Sequence, residues 1–270
     1  MFKRILIIAY LLIFISCEKK EIKYYSNGSI FKTYKLNNNK LDGDYKEFYL
    51  NGNIKIIHKF KEGVLIDSST YYNQRKQITE IHYHSSDSAD YVKTFEKGIL
   101  ISEGRYYSNQ ERGKWKYYYE NGKLKMIIEF MDLCGKQYTN QGWNFDKKGN
   151  SIKKFGYENY YTLTMQKKNY KVNEDISLKI KYKPILFLNS NSLICMSPKI
   201  NKTFCNLNNV KLDTIYSANH NFDIKLSFST KGNKNLRGFI KEFYNKKADS
   251  RDSTTYGDRF IYFDIPIKVD

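Results

Sequence analysis

Proline and cysteine are both scarce in this chain, and each shortage excludes a class of protein. Only 3 of the 270 residues are proline and 15 are glycine, which excludes collagen-like and proline-rich low-complexity chains. Four cysteines are too few for a scaffold built on disulfide bonds at this length. Aromatic residues, by contrast, make up 16% of the chain, which is too many for a disordered protein. The length allows one large folded domain or two of ordinary size.

The apolar run near the N-terminus is too short to cross a membrane. It extends from Ile5 to Ile15, whereas a transmembrane helix needs about 20 residues. Lys3 and Arg4 precede it, an order typical of a secretory signal peptide. A buried helix or strand is the alternative, but such an element rarely begins at residue 5 behind two cations. We therefore predict that residues 1–16 are a signal peptide and that the protein is exported.

The end of this run resembles a bacterial lipobox, in which small residues precede a cysteine that is lipidated after cleavage. Ser16 fits the small position directly before Cys17. Three residues before the cysteine, Phe14 stands where leucine is usual. The resemblance implies that Cys17 carries acyl chains such as palmitate, followed by a tether at residues 17–23. It also implies a membrane-anchored lipoprotein of the bacterial cell envelope, at the outer membrane or the cell surface. Plain secretion after cleavage by an ordinary signal peptidase is the alternative.

Two segments of the chain repeat each other without a gap. Residues 43–60 align with residues 113–130, and eight of the eighteen pairs are identical. The shared pattern is an aromatic residue, any residue, Asn-Gly, any residue, an aliphatic residue and Lys. Weaker copies begin near residues 25, 72, 95 and 145, at a period of about 23 residues, which indicates a stacked repeat architecture.

Each copy of the repeat predicts a β-hairpin. Asn51-Gly52 and Asn121-Gly122 separate β-rich runs, and Asn-Gly is the strongest short hairpin signal. We expect both residues of each pair to take positive φ in a tight turn. In the weak copy near residue 72, Arg75 stands in the place of the glycine. Because a lone hairpin is marginal in water, the hairpins are expected to stack side by side.

Residues 113–125, with the sequence GKWKYYYENGKLK, resemble the variant MORN repeat of bacterial proteins. Residues 43–55 are a second match, and the resemblance extends over about residues 24–156. It implies an extended antiparallel sheet of successive hairpins and a role in binding or scaffolding, and many family members carry an antitoxin-like label. No catalytic residue is implied, because the motif consists of turn and core residues.

The sequence changes character near residue 157. All three prolines lie beyond this point, and the Asn-Gly pattern stops. Residues 177–182, 222–228 and 260–269 have strand patterns, whereas residues 245–259 are polar and predict a loop. The predicted fold is therefore all-β: MORN-type hairpins at residues 24–156, then a β-sandwich-like domain at residues 157–270.

No catalytic, cofactor or metal site is evident in the sequence. His82 and His84 would share one face of a strand, but a metal site needs three or four ligands and no third is apparent. His58 and His220 stand alone, and the motifs of common hydrolases and nucleotide-binding loops are missing. We therefore expect a protein without enzyme activity, cofactor or metal ion.

Three cysteines remain if Cys17 is lipidated. Cys195 and Cys205 are ten residues apart in one predicted domain, so they are the candidate pair for a disulfide outside the cytoplasm. Three free thiols, with Cys134 as the third, are an equal alternative.

The net charge of +18 raises the question of the partner. Lysines alternate along strands rather than cluster, and an exported protein meets little nucleic acid, so we expect no nucleic-acid partner. We expect a membrane, reached through the lipid, and a protein partner or an anionic envelope surface. Non-catalytic binding or scaffolding is the leading function. An immunity protein that neutralises a cognate toxin and an envelope glycan hydrolase are the alternatives.

Replacing Cys17 with alanine should abolish lipidation, because the acyl chains are attached to the thiol of this residue. Metabolic labelling with a clickable fatty acid should mark the wild type and leave Cys17→Ala unlabelled. A Cys195→Ala variant is the matched control and should label like the wild type. Equal labelling of the wild type and Cys17→Ala would show that the lipobox interpretation is wrong.

Overall fold

A computed structural model describes residues 18–85, 89–152, 158–185, 190–247 and 254–270. Strands dominate these ranges, and their one helical element is a 3-10 turn at Leu207–Asn209. The predicted all-β fold class is therefore confirmed. No helix within the described ranges has the length and apolarity needed to span a bilayer. The predicted signal peptide at residues 1–16 and the lipidation site at Cys17 lie outside the described residues.

The first eleven strands form an antiparallel sheet in which the strand order follows the chain. Contacts divide the chain into two compact units, residues 1–86 with 96–98 and residues 87–95 with 99–270. The strands are β1 (Glu18–Tyr24), β2 (Ile30–Asn37), β3 (Lys40–Phe48), β4 (Ile54–Lys61), β5 (Val64–Tyr72), β6 (Ile78–Tyr83), β7 (Asp90–Glu96), β8 (Ile99–Tyr107), β9 (Gln110–Tyr118), β10 (Leu124–Leu133) and β11 (Lys136–Asn144).

The first strand occupies the segment that was predicted to be a tether. Residues 18–24 form β1 and pair with β2 in antiparallel register. The charged residues Lys19, Lys20, Glu21 and Lys23 suit an edge strand, where charged side chains discourage pairing with other chains. The described structure therefore begins directly after Cys17.

The repeated Asn-Gly turns have a different geometry from the predicted one. The Tyr49 carbonyl accepts a hydrogen bond from the Gly52 N–H at 2.9 Å, and the Tyr49 N–H donates to the Asn53 carbonyl at 2.8 Å. Gly52 has φ of 79° and Gly122 of 76°, whereas Asn51 is not among the residues with positive φ. Each loop therefore has three residues, a type I turn followed by a left-handed glycine. The prediction of positive φ at both asparagine and glycine is wrong.

The asparagines stabilise these loops through their side chains. Asn51 Oδ1 accepts a hydrogen bond from the Asn53 N–H at 3.0 Å, and Asn121 Oδ1 accepts one from the Lys123 N–H at 3.1 Å. A side-chain oxygen that bonds the backbone two residues ahead mimics a backbone turn. Asparagine is thus selected for its carboxamide rather than for tolerance of positive φ.

Tyrosine hydroxyls connect three of these turns to the turn that follows. The Tyr25 hydroxyl donates to the Phe48 carbonyl at 2.7 Å, and the Tyr49 hydroxyl donates to the Tyr72 carbonyl at 2.7 Å. In the second unit the Tyr119 hydroxyl donates to the Phe145 carbonyl at 2.9 Å. Each acceptor lies immediately before the following turn, which explains why tyrosine leads the motif.

The weak copy near residue 72 is shifted by one residue from its predicted register. The Lys76 N–H donates to the Asn73 carbonyl at 3.0 Å, and Lys76 has φ of 65°. Lys76, and not Arg75, therefore takes the place of the turn glycine. The correction places this turn 24 residues after Gly52, just as Gly52 follows Gly28 by 24 residues.

The rest of the second unit is a sandwich of two small sheets. A core of buried side chains from both sheets includes Leu178, Ile194, Ile240 and Phe263. One sheet consists of β12 (Tyr161–Met165), β14 (Ile176–Tyr182) and β17 (Asn221–Leu226). The other consists of β13 (Asn169–Tyr170), β15 (Asn191–Ser197), β16 (Asp213–Ser217), β18 (Gly232–Lys247) and β19 (Thr254–Val269).

The predicted loop at residues 245–259 is wrong where the structure describes it. Residues 245–247 and 254–259 continue β18 and β19, which pair from Gly232 with Val269 to Lys247 with Thr254. A backbone ladder satisfies its own hydrogen bonds whatever the side chains are, so a polar sequence can extend a hairpin. The predicted domain boundary near residue 157 falls at residues 153–157, which lie outside the described residues.

Within the second unit, Asn140 and Arg259 join the last repeat strand to the sandwich. Asn140 Oδ1 accepts from the Tyr262 N–H at 2.7 Å, and its Nδ2 donates to the Tyr262 carbonyl at 2.9 Å. The Asn140 amide thus makes with Tyr262 the two backbone hydrogen bonds that a neighbouring strand would make at the edge of β19. Arg259 donates to the carbonyls of Asn140 at 2.5 Å and Thr139 at 3.1 Å, and to Asn159 Oδ1 at 3.0 Å.

The disulfide joins Cys134 to Cys205, and the predicted Cys195–Cys205 pair is wrong. Cys195 lies on β15 as a buried free thiol. Cys205 lies in a loop that packs against the turn after β10, where the Cys134 N–H donates to the Thr203 carbonyl at 2.9 Å. The paired residues are 71 positions apart, with Cα atoms 5.0 Å from each other, so tertiary packing decides the pairing.

Replacing Lys76 with glycine should stabilise the protein, because a non-glycine residue at positive φ is strained. We expect the free energy of unfolding to rise by about 0.5–1 kcal/mol in urea denaturation followed by circular dichroism. Arg75→Gly is the control and should lower it, since glycine there only increases the entropy of the unfolded chain. If Arg75→Gly stabilises as much as Lys76→Gly does, the corrected register is wrong.

Candidate binding surface

The register of the first unit aligns a row of rings on one side of the sheet. Residues directly opposite each other in antiparallel strands point to the same face, and Tyr45 lies opposite both Tyr34 and His58. The row consists of Tyr34, Tyr45, His58, Tyr71 and His82, and the centroids of successive rings are 6.0, 5.7, 6.0 and 4.9 Å apart. We call this side of the sheet the aromatic face.

Two histidines meet on the aromatic face through one serine. The Ser69 hydroxyl lies 2.6 Å from His58 Nδ1 and 2.6 Å from His84 Nε2. Ser69 is fully buried, and its single proton can be donated to only one of the two rings, so the other ring must donate to it. The sequence suggested that His58 stands alone, because only the strand register brings it to His84.

Burial shifts the pKa values of His58 and Tyr45. It lowers the pKa of His58 below the ordinary value of 6.5, and the nearby charges of His84 and His82 act in the same direction, whereas Glu47 opposes them. Burial also raises the pKa of Tyr45, whose hydroxyl donates to Glu47 at 2.7 Å. Both groups are therefore held in their neutral forms near neutral pH.

The opposite side of the same sheet is rich in lysine. The register places Lys46 opposite Thr33 and Ile57, and Lys59 opposite Asp44, away from the rings. Lys20 and Lys35 lie directly opposite each other on β1 and β2. We call this side the lysine face, defined by Lys20, Lys35, Lys46 and Lys59.

The two faces differ in their charged residues. Asp44 also lies on the lysine face, 3.8 Å from Lys46. On the aromatic face, lysines and glutamates balance; for instance, Glu21 lies 2.7 Å from Lys19 and 3.3 Å from Lys23. Hydrogen bonds from these two lysines lower the pKa of Glu21 to about 2. The lysine face is therefore the side that attracts anions.

A buried carboxylate in the sandwich has a structural environment. Glu242 accepts hydrogen bonds from the Tyr182 hydroxyl at 2.6 Å, the Ser190 hydroxyl at 2.5 Å and the Ile185 N–H at 3.0 Å. Its side chain is fully buried, and Tyr182 and Ser190 are buried beside it. Such a carboxylate organises the polar interior of the sandwich rather than meeting a substrate.

In the described part of the chain, the two histidines of the predicted pair contact different side chains. His82 Nε2 lies 2.7 Å from Glu80 Oε2, whereas His84 contacts Ser69. Among the residues that the structure describes, no three His, Cys, Asp or Glu side chains are placed to hold a metal ion.

Acidification should destabilise the protein through His58. Because the folded-state pKa is depressed, the unfolded chain binds more protons below 6.5, so stability is full above that pH and declines as the pH falls. The His58→Asn variant should lose less stability than the wild type between about pH 7 and pH 5 in urea titrations. Lys59→Gln, at the next residue and on the lysine face, is the control and should lose as much stability on acidification as the wild type does. Equal losses for His58→Asn and the control would contradict the role of His58.

Comparison with known families identifies the repeat. Residues 41–62 and 111–132 each match the MORN repeat variant, and each match contains one strand–turn–strand unit, β3 with β4 and β9 with β10. No curated protein and no solved structure matches the chain. The predicted resemblance is therefore confirmed for part of the chain: these two segments are MORN-variant repeats.

Proposed function

We propose that the protein is a lipid-anchored, non-catalytic binding protein of the bacterial cell envelope, and that its lysine face contacts an anionic envelope surface. The observation that carries this proposal is the unequal charge on the two faces of the first unit. MORN repeats support a binding or scaffolding role in general. The unequal charge also indicates which face makes the contact, because the lysine face is the side suited to anions.

The position of the anchor supports contact with a membrane surface. The described strand β1 starts at Glu18, and Lys20 is three residues from Cys17. Three extended residues reach about 10 Å, so acyl chains on Cys17 would keep the first hairpin close to the membrane. Each lysine near an anionic surface contributes about 1 kcal/mol to attraction.

The disulfide agrees with export. The Cys134–Cys205 bond joins residues far apart in sequence, and such bonds persist in oxidising compartments rather than in the cytosol. An exported protein and a structural disulfide are therefore consistent with each other.

Charge removal on the lysine face should weaken binding to anionic surfaces. We suggest co-sedimentation of a Cys17→Ala protein with phosphatidylcholine vesicles containing about a third phosphatidylglycerol, and with alginate as an acidic polysaccharide. Changing the lysine face to glutamine at all four positions should abolish most of the binding, and added salt should do the same to the parent protein.

The matched control replaces the lysines of the aromatic face, Lys19, Lys23 and Lys32, with glutamine. This variant should keep most of the binding, because Glu21 pairs with Lys19 and Lys23, and Glu47 lies directly opposite Lys32. Binding to vesicles alone or to alginate alone would identify the kind of surface. Equal losses in both variants, or no binding to either surface, would contradict the proposal.

A further inference from the structure

The two strongest copies of the repeat place an Asn-Gly pair in an exposed turn. Asn51 and Gly52 are exposed in the first unit, and Asn121 and Gly122 are exposed in the second. Asparagine is chemically labile, and a glycine after it leaves its carboxamide open to attack, because glycine has no Cβ to obstruct its own backbone nitrogen. Both turns are therefore candidate sites for loss of the side-chain amide.

This reaction is an internal acyl transfer whose one co-reactant is water. The backbone nitrogen of the glycine bonds to Cγ of the asparagine, the Cγ–Nδ2 bond breaks, and ammonia leaves with the proton of the glycine N–H. The product is a five-membered succinimide ring. Water then opens the ring, giving aspartate when the new Cγ–N bond breaks and isoaspartate when the original peptide bond breaks. The rate depends on how the turn holds the two reacting groups.

The two turns hold the attacking nitrogen and the carboxamide oxygen alike. In each, the glycine N–H donates to the carbonyl of the tyrosine three residues before it at 2.9 Å. The asparagine Oδ1 accepts from the N–H two residues ahead, at 3.0 Å for Asn51 and 3.1 Å for Asn121. The two sites are therefore matched at every group that reacts except the leaving nitrogen.

The leaving nitrogens have different environments. Asn121 Nδ2 donates to the Lys147 carbonyl in the next turn at 3.1 Å. In the first unit, the corresponding carbonyl belongs to Gln74 and accepts instead from Asn53 Nδ2 at 2.9 Å. Within the described residues, Asn51 Nδ2 has no hydrogen-bond partner on the protein. The residue after the glycine thus decides which asparagine is tied to the next turn.

We propose that Asn51 is a site of spontaneous deamidation in the folded protein, and that the bond to the Lys147 carbonyl protects Asn121. To react, the carboxamide must turn until Cγ meets the glycine nitrogen, and Nδ2 must depart as ammonia. Asn121 gives up its bond to the next turn at this step, whereas Asn51 has no such bond to lose. One hydrogen bond of ordinary strength corresponds to about a fivefold difference in rate.

Both products change the turn chemically. Each replaces a neutral carboxamide with a carboxylate, so the turn gains a negative charge. Aspartate keeps a side-chain oxygen that can accept from the Asn53 N–H, as asparagine does. Isoaspartate carries the chain through Cγ and lengthens the backbone by a carbon atom, which alters the spacing between Gly52 and Tyr49.

The test is incubation of the purified, disulfide-bonded protein at mildly alkaline pH, followed by tryptic peptide mapping with mass spectrometry at intervals. Deamidation is read as the mass gained when an amide becomes an acid, and fragmentation assigns it to one asparagine. Asn51 should deamidate about fivefold faster than Asn121. The same chain in concentrated guanidinium chloride is the control, and there the two rates should agree within about twofold, because the turns are unfolded.

Equal rates at Asn51 and Asn121 in the folded protein would overturn the proposal. So would an Asn51 that stays intact in the folded protein while it deamidates in the unfolded chain. A Lys123→Asn variant gives the second unit the residue that takes the carbonyl in the first, so it should raise the rate at Asn121 to that of Asn51 in the same molecule. An unchanged rate at Asn121 in this variant would overturn the protective role of the Lys147 carbonyl.

Discussion

A one-layer β-sheet cannot bury side chains against a second layer, and this constraint governs the first unit. Among its described residues, Ser69 is the one that is fully buried, and the strands are half-exposed on both faces. Stability must therefore come from backbone ladders, neighbouring side chains and turns. The tyrosine hydroxyls that bond the carbonyl before the next turn link each hairpin to its successor, which a repeat without a core requires.

The second unit gains stability by burying side chains. Trp115 and Phe130, which correspond to Tyr45 and Phe60 in the gap-free alignment, are buried with Val92. The Trp115 indole packs closely on β8. A Cβ atom at Gly104 would lie 2.4 Å from the indole ring, so any side chain there would collide with it. One repeat motif thus supports an open surface in one unit and a small core in the other. Only the open version leaves both faces accessible to partners.

The proposed binding surface follows from this difference. On the open sheet, alternation separates charges between faces, so four lysines on one side act as a broad surface for anions. In the second unit, the disulfide and the Asn140 and Arg259 hydrogen bonds instead hold strands and loop together. A broad surface suits a membrane or a polymer.

The sequence by itself determined the all-β class, the repeat and the places of its turns, because these depend on local patterns of aromatic, aliphatic and Asn-Gly residues. It could not give the turn geometry or the position of Lys76, since one residue of shift changes which side chain takes positive φ. The contacts of Ser69 with His58 and His84 and the Cys134–Cys205 bond were decided by the tertiary structure alone. The two contacts and the disulfide join residues 11, 15 and 71 positions apart, and only strand register and loop packing bring such residues within bonding distance.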